Sequence, residues 1–206
     1  MKTLGEIPAP AAAPLRPGTL RRADQQAFER LLDRLDGVAA VMVIGEQWRK
    51  RTAAAGLASA AAATGRRTAL LECDLAEPTL AGDLGVAVAP GLREYLLGEV
   101  EAARILRSLV LAGPGSASAR EPLVCVVAGR REEGGEALLA SDGFRQAVAG
   151  LRDAHELVVV EGPPSSAAPD TLLATSGHVD ATLLCLGSGE DPPPLPVEVA
   201  GTIRQL

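Results

Sequence analysis

Residues 38–72 read VAAVMVIGEQWRKRTAAAGLASAAAATGRRTALLE. The opening run, 38–44, is apolar without a break, as in a strand covered on both faces. Residues 52–63 are mostly alanine and other small residues, the composition of a helix packed closely on a sheet. After a turn at Gly65, residues 66–72 return to strand character. A strand, a helix and a second strand in such close succession make the basic unit of a parallel sheet.

Outward from this unit the same alternation continues. PLVCVVAG (122–129), HELVVVEG (155–162) and VDATLLCL (179–186) are three further apolar runs of strand length. Residues 22–35 have helical spacing, with Phe28, Leu31, Leu32 and Leu35 on one side. Helical segments are expected at 135–140, at 142–152 and from about Asp170, and GLREYLLG with EAARILRSLVL predicts two helices over 91–111. The fold class is α/β: a doubly wound, mainly parallel sheet with helices on both faces, whose ligands bind beyond the carboxyl ends of the strands. Residues 1–21, rich in proline and alanine, are expected to be a flexible tail. Residues 22–206 form a single domain, broken near its end by the triple proline 192–194 and closed by a short helix.

Composition narrows the function classes. The 206 residues are 47% hydrophobic but only 2% aromatic, so Ala, Val and Leu build the core. A net charge of -6 argues against a general nucleic-acid binder. Cys73, Cys125 and Cys185 fall in or beside apolar strands without metal-ligand spacing, which fits a packing role in a reducing compartment. No apolar run approaches the roughly 18 residues that cross a bilayer, and no signal-type core opens the chain. A cytoplasmic protein without membrane insertion is expected.

The loop after the first apolar run, IGEQWRKRT (44–52), stands where a phosphate-binding loop of pattern GxxxxGK[ST] would stand. In such a loop glycines let backbone N–H groups wrap the phosphates, a lysine reaches the terminal phosphate, and a hydroxyl holds magnesium. Counted strictly from Gly45, Lys50 occupies the second glycine position and Arg51 the lysine position. The glycine before the lysine and the GK[ST] triplet are missing.

The stretch 52–99 and the stretch LVCVVAGRREEGG…VVVEGPP…ATLLCL (123–186) resemble the cytoplasmic domain of bacterial tyrosine kinases of the capsule and exopolysaccharide systems. These belong to the wider MinD/ParA group of P-loop NTPase-like proteins. The resemblance covers most of residues 22–186. It places Glu72 and Asp74, in LLECDLA, on the two aspartates of the family's second acidic motif, with Ala76 where its arginine would be. Glu161, in VVVEGPP, falls on the Walker B aspartate. The resemblance implies that Glu72, Asp74 and Glu161 are the candidate magnesium ligands and the vestige of the catalytic set. Counting back from Glu72 puts Lys50 on the phosphate-loop lysine, Arg49 on its last glycine and Arg51 on its serine, with Thr52 just after. Gly45, Arg49, Lys50, Arg51 and Thr52 are thus the candidate nucleotide-binding residues of a degenerate loop, which Arg49 and Trp48 would crowd.

Two more features of the family are altered. QAFERLL carries Gln26, Glu29 and Leu32 where the oligomerisation motif has Glu, Arg and Arg. The C-terminal tyrosine cluster is absent, and the single tyrosine, Tyr95, reads as a core residue of a helix. His155 and His178, at strand starts, read as structural. The resemblance therefore implies a pseudoenzyme: an accessory or regulatory factor in exopolysaccharide or capsule biosynthesis, without cofactor, recruited to the inner face of the membrane. Its implied partner is a membrane polysaccharide co-polymerase adaptor or a kinase paralogue. The alternatives are an active, noncanonical tyrosine autokinase or ATPase using ATP and Mg2+, and a MinD/ParA-like positioning protein.

Overall fold

The apolar runs form the middle of one sheet. The computed structural model describes residues 3–7, 22–110 and 122–205. In chain order the elements are β1 (Thr3–Ile7), α1 (Arg22–Leu32), β2 (Ala40–Gly45), α2 (Gln47–Ala63), β3 (Thr68–Glu72), α3 (Leu80–Leu84), α4 (Leu92–Leu96), β4 (Arg107–Leu109), β5 (Leu123–Val126), α5 (Asp142–Ala154), β6 (Leu157–Pro164), α6 (Pro169–Ser176), β7 (Ala181–Gly187) and β8 (Gly201–Gln205). Short 3-10 segments cover Asp33–Leu35, Ala102–Arg104 and Gly135–Ala140. The described residues make an eight-stranded sheet in the order β1-β8-β7-β2-β6-β3-β5-β4. All neighbours are parallel except β4, which runs antiparallel to β5. This is the doubly wound, mainly parallel α/β class expected from the alternating pattern.

Alternation along the strands sends side chains to two cores. Val41 and Val43 of β2, with Leu70, Val159 and Leu183, meet α1, α2 and α3 on one face. Met42 and Ile44, with Leu71, Val160 and Leu184, meet Phe144 and Val148 of α5 and Leu172 of α6 on the other. Phe28, Leu31, Leu32 and Leu35 are all buried, as their spacing predicts. The alanines of α2 lie buried along most of its length, which brings the helix onto the sheet. Its Gly56 sits under the Phe28 ring, where an added Cβ would come within 2.1 Å.

Three expectations are corrected, all at the sheet's margins. Residues 3–7, assigned to a flexible tail, are β1, paired parallel with β8 and packed through Leu4 on α1. The rest of that tail, 8–21, lies outside the described residues. The second helix expected within 91–111 is a 3-10 turn followed by strand β4, because pairing with β5 overrides the helical spacing. The closing helix is instead β8, whose Thr202 and Ile203 are buried beside β7.

Candidate functional site

β2, β3 and β6 end side by side, and the candidate residues gather there. Glu72 of β3 is the register partner of Glu161 of β6, which also pairs with Val43 of β2. Asp74 follows β3, and Lys50 reaches the cluster from the first turn of α2. Lys50, Glu72, Asp74 and Glu161 are all buried.

The turn that would cradle phosphate is very short. β2 runs through Gly45, and helix α2 begins at Gln47, so Glu46 alone separates them. Gly45 is required by geometry: its φ is +142°, and a Cβ would lie 2.6 Å from the Cys185 carbonyl oxygen. The Arg49 and Lys50 amides both donate to the Glu46 carbonyl at 3.0 and 3.2 Å, an ordinary helix start. Whichever register is used, the stretch that would wrap phosphates is strand end, cap and helix. Thr52, next to the expected magnesium hydroxyl, donates its own hydroxyl to the Trp48 carbonyl at 2.8 Å.

Each of the three consecutive cations is held by an acid from a different part of the chain. Arg49 pairs with Glu190, beyond β7, at 2.8 Å. Lys50 pairs with Asp74 at 2.8 Å and donates to the Gly162 carbonyl at 2.6 Å. Arg51 pairs with Asp83 of α3 at 2.5 Å and donates to the Thr79 hydroxyl. Trp48 is half-exposed, with the Arg49 guanidinium 5.2 Å from its ring centre.

The carboxylates differ sharply in their surroundings. Glu72 accepts three backbone N–H bonds, from Thr79 and Leu80 on one oxygen and from Ala128 on the other. It fastens the start of α3 and the end of β5 to β3. Burial raises its pKa, and those amides with Lys50 oppose the rise. Glu161 is pushed up to about 8 by burial, against the pull of Lys50 3.7 Å away. Its Oε2 is buried without a hydrogen-bond partner. Asp74 takes the lysine on Oδ2 and the Glu77 amide on Oδ1. Among the described residues no three His, Cys, Asp or Glu side chains form a metal-holding group.

The resemblance set Lys50, Glu72, Asp74 and Glu161 at one site, and the four are buried together at the ends of β2, β3 and β6. It missed Glu190, Asp83 and the Gly162 carbonyl, which only tertiary structure delivers to this turn. It also missed Glu94, a buried carboxylate that accepts from the Gly91 and Arg130 amides and ties the segment after β5 to α4. Tyr95 packs against the core beneath α5. His155 bonds the Leu151 carbonyl, and His178 meets the Phe144 ring edge-on. All three cysteines are free and buried, and burial raises each thiol's pKa. Of the altered oligomerisation positions, Gln26 is exposed, Glu29 is half-buried and Leu32 faces the core.

The sheet and its flanking helices match the P-loop NTPase-like α/β fold of solved structures. Within it the structural neighbours include bacterial tyrosine-kinase domains. The chimerical protein CapA2B2 superimposes with a TM-score of 0.82 at 16% identity, over 100% of this chain and 94% of that one. The kinase domain of the Escherichia coli tyrosine kinase ETK gives 0.80 at 17%, over 100% and 90%. The wider group appears in the septum site-determining protein MinD of Pyrococcus horikoshii, complexed with Mg-ADP, at 0.55 and 15%, over 72% and 58%. No protein-family model and no curated protein sequence matches the chain. No helix among the described residues is long and apolar enough to cross a membrane.

Proposed function

We propose that this chain is a catalytically degenerate, tyrosine-kinase-like P-loop protein that acts through protein contacts as an accessory or regulatory factor in exopolysaccharide or capsule biosynthesis. Its partner is a membrane co-polymerase adaptor or a kinase paralogue, met at the inner face of the membrane. The observation that carries this reading is the turn from β2 to α2. A single residue separates strand from helix, and Arg49, Lys50 and Arg51 are each paired with a carboxylate of the same chain. A magnesium nucleotide, present in the MinD neighbour, does not fit such a turn. Phosphate needs several convergent free amides and an unspent cation, and here the amides enter helix α2 while the cations hold Glu190, Asp74 and Asp83. Glu72, a candidate magnesium ligand, has both oxygens on backbone amides. The protein thus keeps the kinase scaffold as a surface for recognition.

Calorimetric titration of the purified chain with Mg–ATP tests the reading, and no binding heat is expected up to millimolar nucleotide. Saturable binding in the micromolar range would sink it in favour of the noncanonical autokinase or ATPase.

A further inference from the structure

We infer that the Lys50 ammonium is a tethered cation standing in for a divalent metal at the strand-end carboxylates, so that this chain closes its own metal site from within. The inference rests on the degenerate-site reading and specifies how that site is shut.

Three oxygens surround Nζ: the Gly162 carbonyl at 2.6 Å, Asp74 Oδ2 at 2.8 Å and Glu161 Oε1 at 3.7 Å. One backbone carbonyl and two carboxylates, drawn from β6 and the segment after β3, are the donor set that a small hard cation takes. The lysine is fully buried, so its charge is committed to this nest and is not offered to solvent or to an incoming phosphate. A metal and an ammonium compete for the same few ångströms, because two cations there would repel strongly in a medium of low polarity.

A second feature points the same way. The ammonium satisfies the nest only in part, since Glu161 Oε2 remains buried and unpartnered. A buried acceptor without a partner is uncommon, and it marks a position that a further cationic or hydrogen-bonding group would complete. The ammonium sits 2.8 Å from Asp74 but 3.7 Å from Glu161, whereas a divalent ion would engage both side chains. Glu72 takes no part in the nest, so the metal set expected from the sequence shrinks to Asp74, Glu161 and the Gly162 carbonyl, with Lys50 as its present occupant.

Removing the ammonium while keeping the oxygens should therefore open a divalent-cation site. Wild type, Lys50→Ala and Lys50→Ala/Glu161→Gln are to be titrated with Mn2+ alone, followed by electron paramagnetic resonance and by thermal melting, with no nucleotide present. Wild type should neither bind Mn2+ nor change its melting temperature. Lys50→Ala should melt lower and recover several degrees in millimolar Mn2+, binding the ion at least about tenfold more tightly than wild type. The added Glu161→Gln should abolish that recovery. Should Lys50→Ala prove insoluble, purification with Mn2+ throughout should restore a folded protein, and failure to do so overturns the inference. So does a folded Lys50→Ala that ignores Mn2+, or a wild type that binds it. None of these outcomes reports on nucleotide, so failure of the degenerate-site reading, seen as Mg–ATP binding by wild type, is distinguished from failure of this one.

Discussion

Arg49→Gly with Arg51→Ser is the change that the motif alone recommends, since it writes a glycine before Lys50 and a hydroxyl after it. The structure gives the opposite expectation. Both positions lie near the start of α2, where glycine for Arg49, a good helix former, costs up to about 1 kcal/mol. Arg51 is mostly buried against Asp83, and losing a charged hydrogen bond of that kind costs about 1–2 kcal/mol. The Arg49–Glu190 pair is open to solvent on its acidic side and adds little. The double variant should thus lose about 2–3 kcal/mol, a fall in Tm of roughly 5–10 °C for a domain of this size. It should gain no nucleotide affinity, because two substitutions do not lengthen a one-residue turn. Scanning calorimetry and Mg–ATP titration of the same samples read both effects. Unchanged stability together with about tenfold tighter binding would refute the reasoning and show that the side chains, not the length of the turn, exclude phosphate.

Gly56→Ala places a methyl 2.1 Å from the Phe28 ring and should destabilise the α1–α2 packing by about 1–3 kcal/mol, read by urea unfolding; an unaltered midpoint contradicts it. Glu161, an acid whose folded pKa of about 8 lies above its ordinary 4.5, binds more protons folded than unfolded between those values. Its contribution to stability is present below pH 4.5 and is lost as pH rises towards 8, at no more than about 1.4 kcal/mol per pH unit. Glu161→Gln should flatten that decline in a pH series of melts, and an identical slope in the variant would assign it elsewhere. Incubation with labelled ATP and magnesium should leave Tyr95 unmodified, since its ring packs against the second core; stoichiometric label there would revive an autokinase.

What the sequence made legible follows from burial. The five continuous apolar runs became β2, β3, β5, β6 and β7, the contiguous middle block of the sheet. The three strands that escaped notice, TLGEI, RSL and GTIRQ, are short and lie at or next to the margins of the sheet, where no long apolar run is needed. RSL even continues a helical spacing, and only its antiparallel partner β5 decides its conformation. At the site, the resemblance singled out Glu72, Asp74 and Glu161, counting back from Glu72 added Lys50, and the ends of β2, β3 and β6 bring the four together. The start of α2 was not readable, because Glu46 precedes it without a side-chain cap and QWRKRT has no helix-opening signature. Nor were the partners of Arg49 and Arg51, since Glu190 and Asp83 reach the turn only through the folding of distant segments.

The parallel pairing of β1 with β8 has a mechanical consequence. Thr3 pairs with Thr202 at one end of this ribbon and Ile7 with Gln205 at the other. Tension applied to the chain at Thr3 and at Gln205 pulls the two strands lengthwise in opposite directions. Every hydrogen bond between them is then loaded at once and must be sheared together, where an antiparallel pair held at neighbouring ends would unzip one bond at a time. A molecule anchored through both ends of its chain would transmit force across that margin of the sheet before the central strands felt any of it.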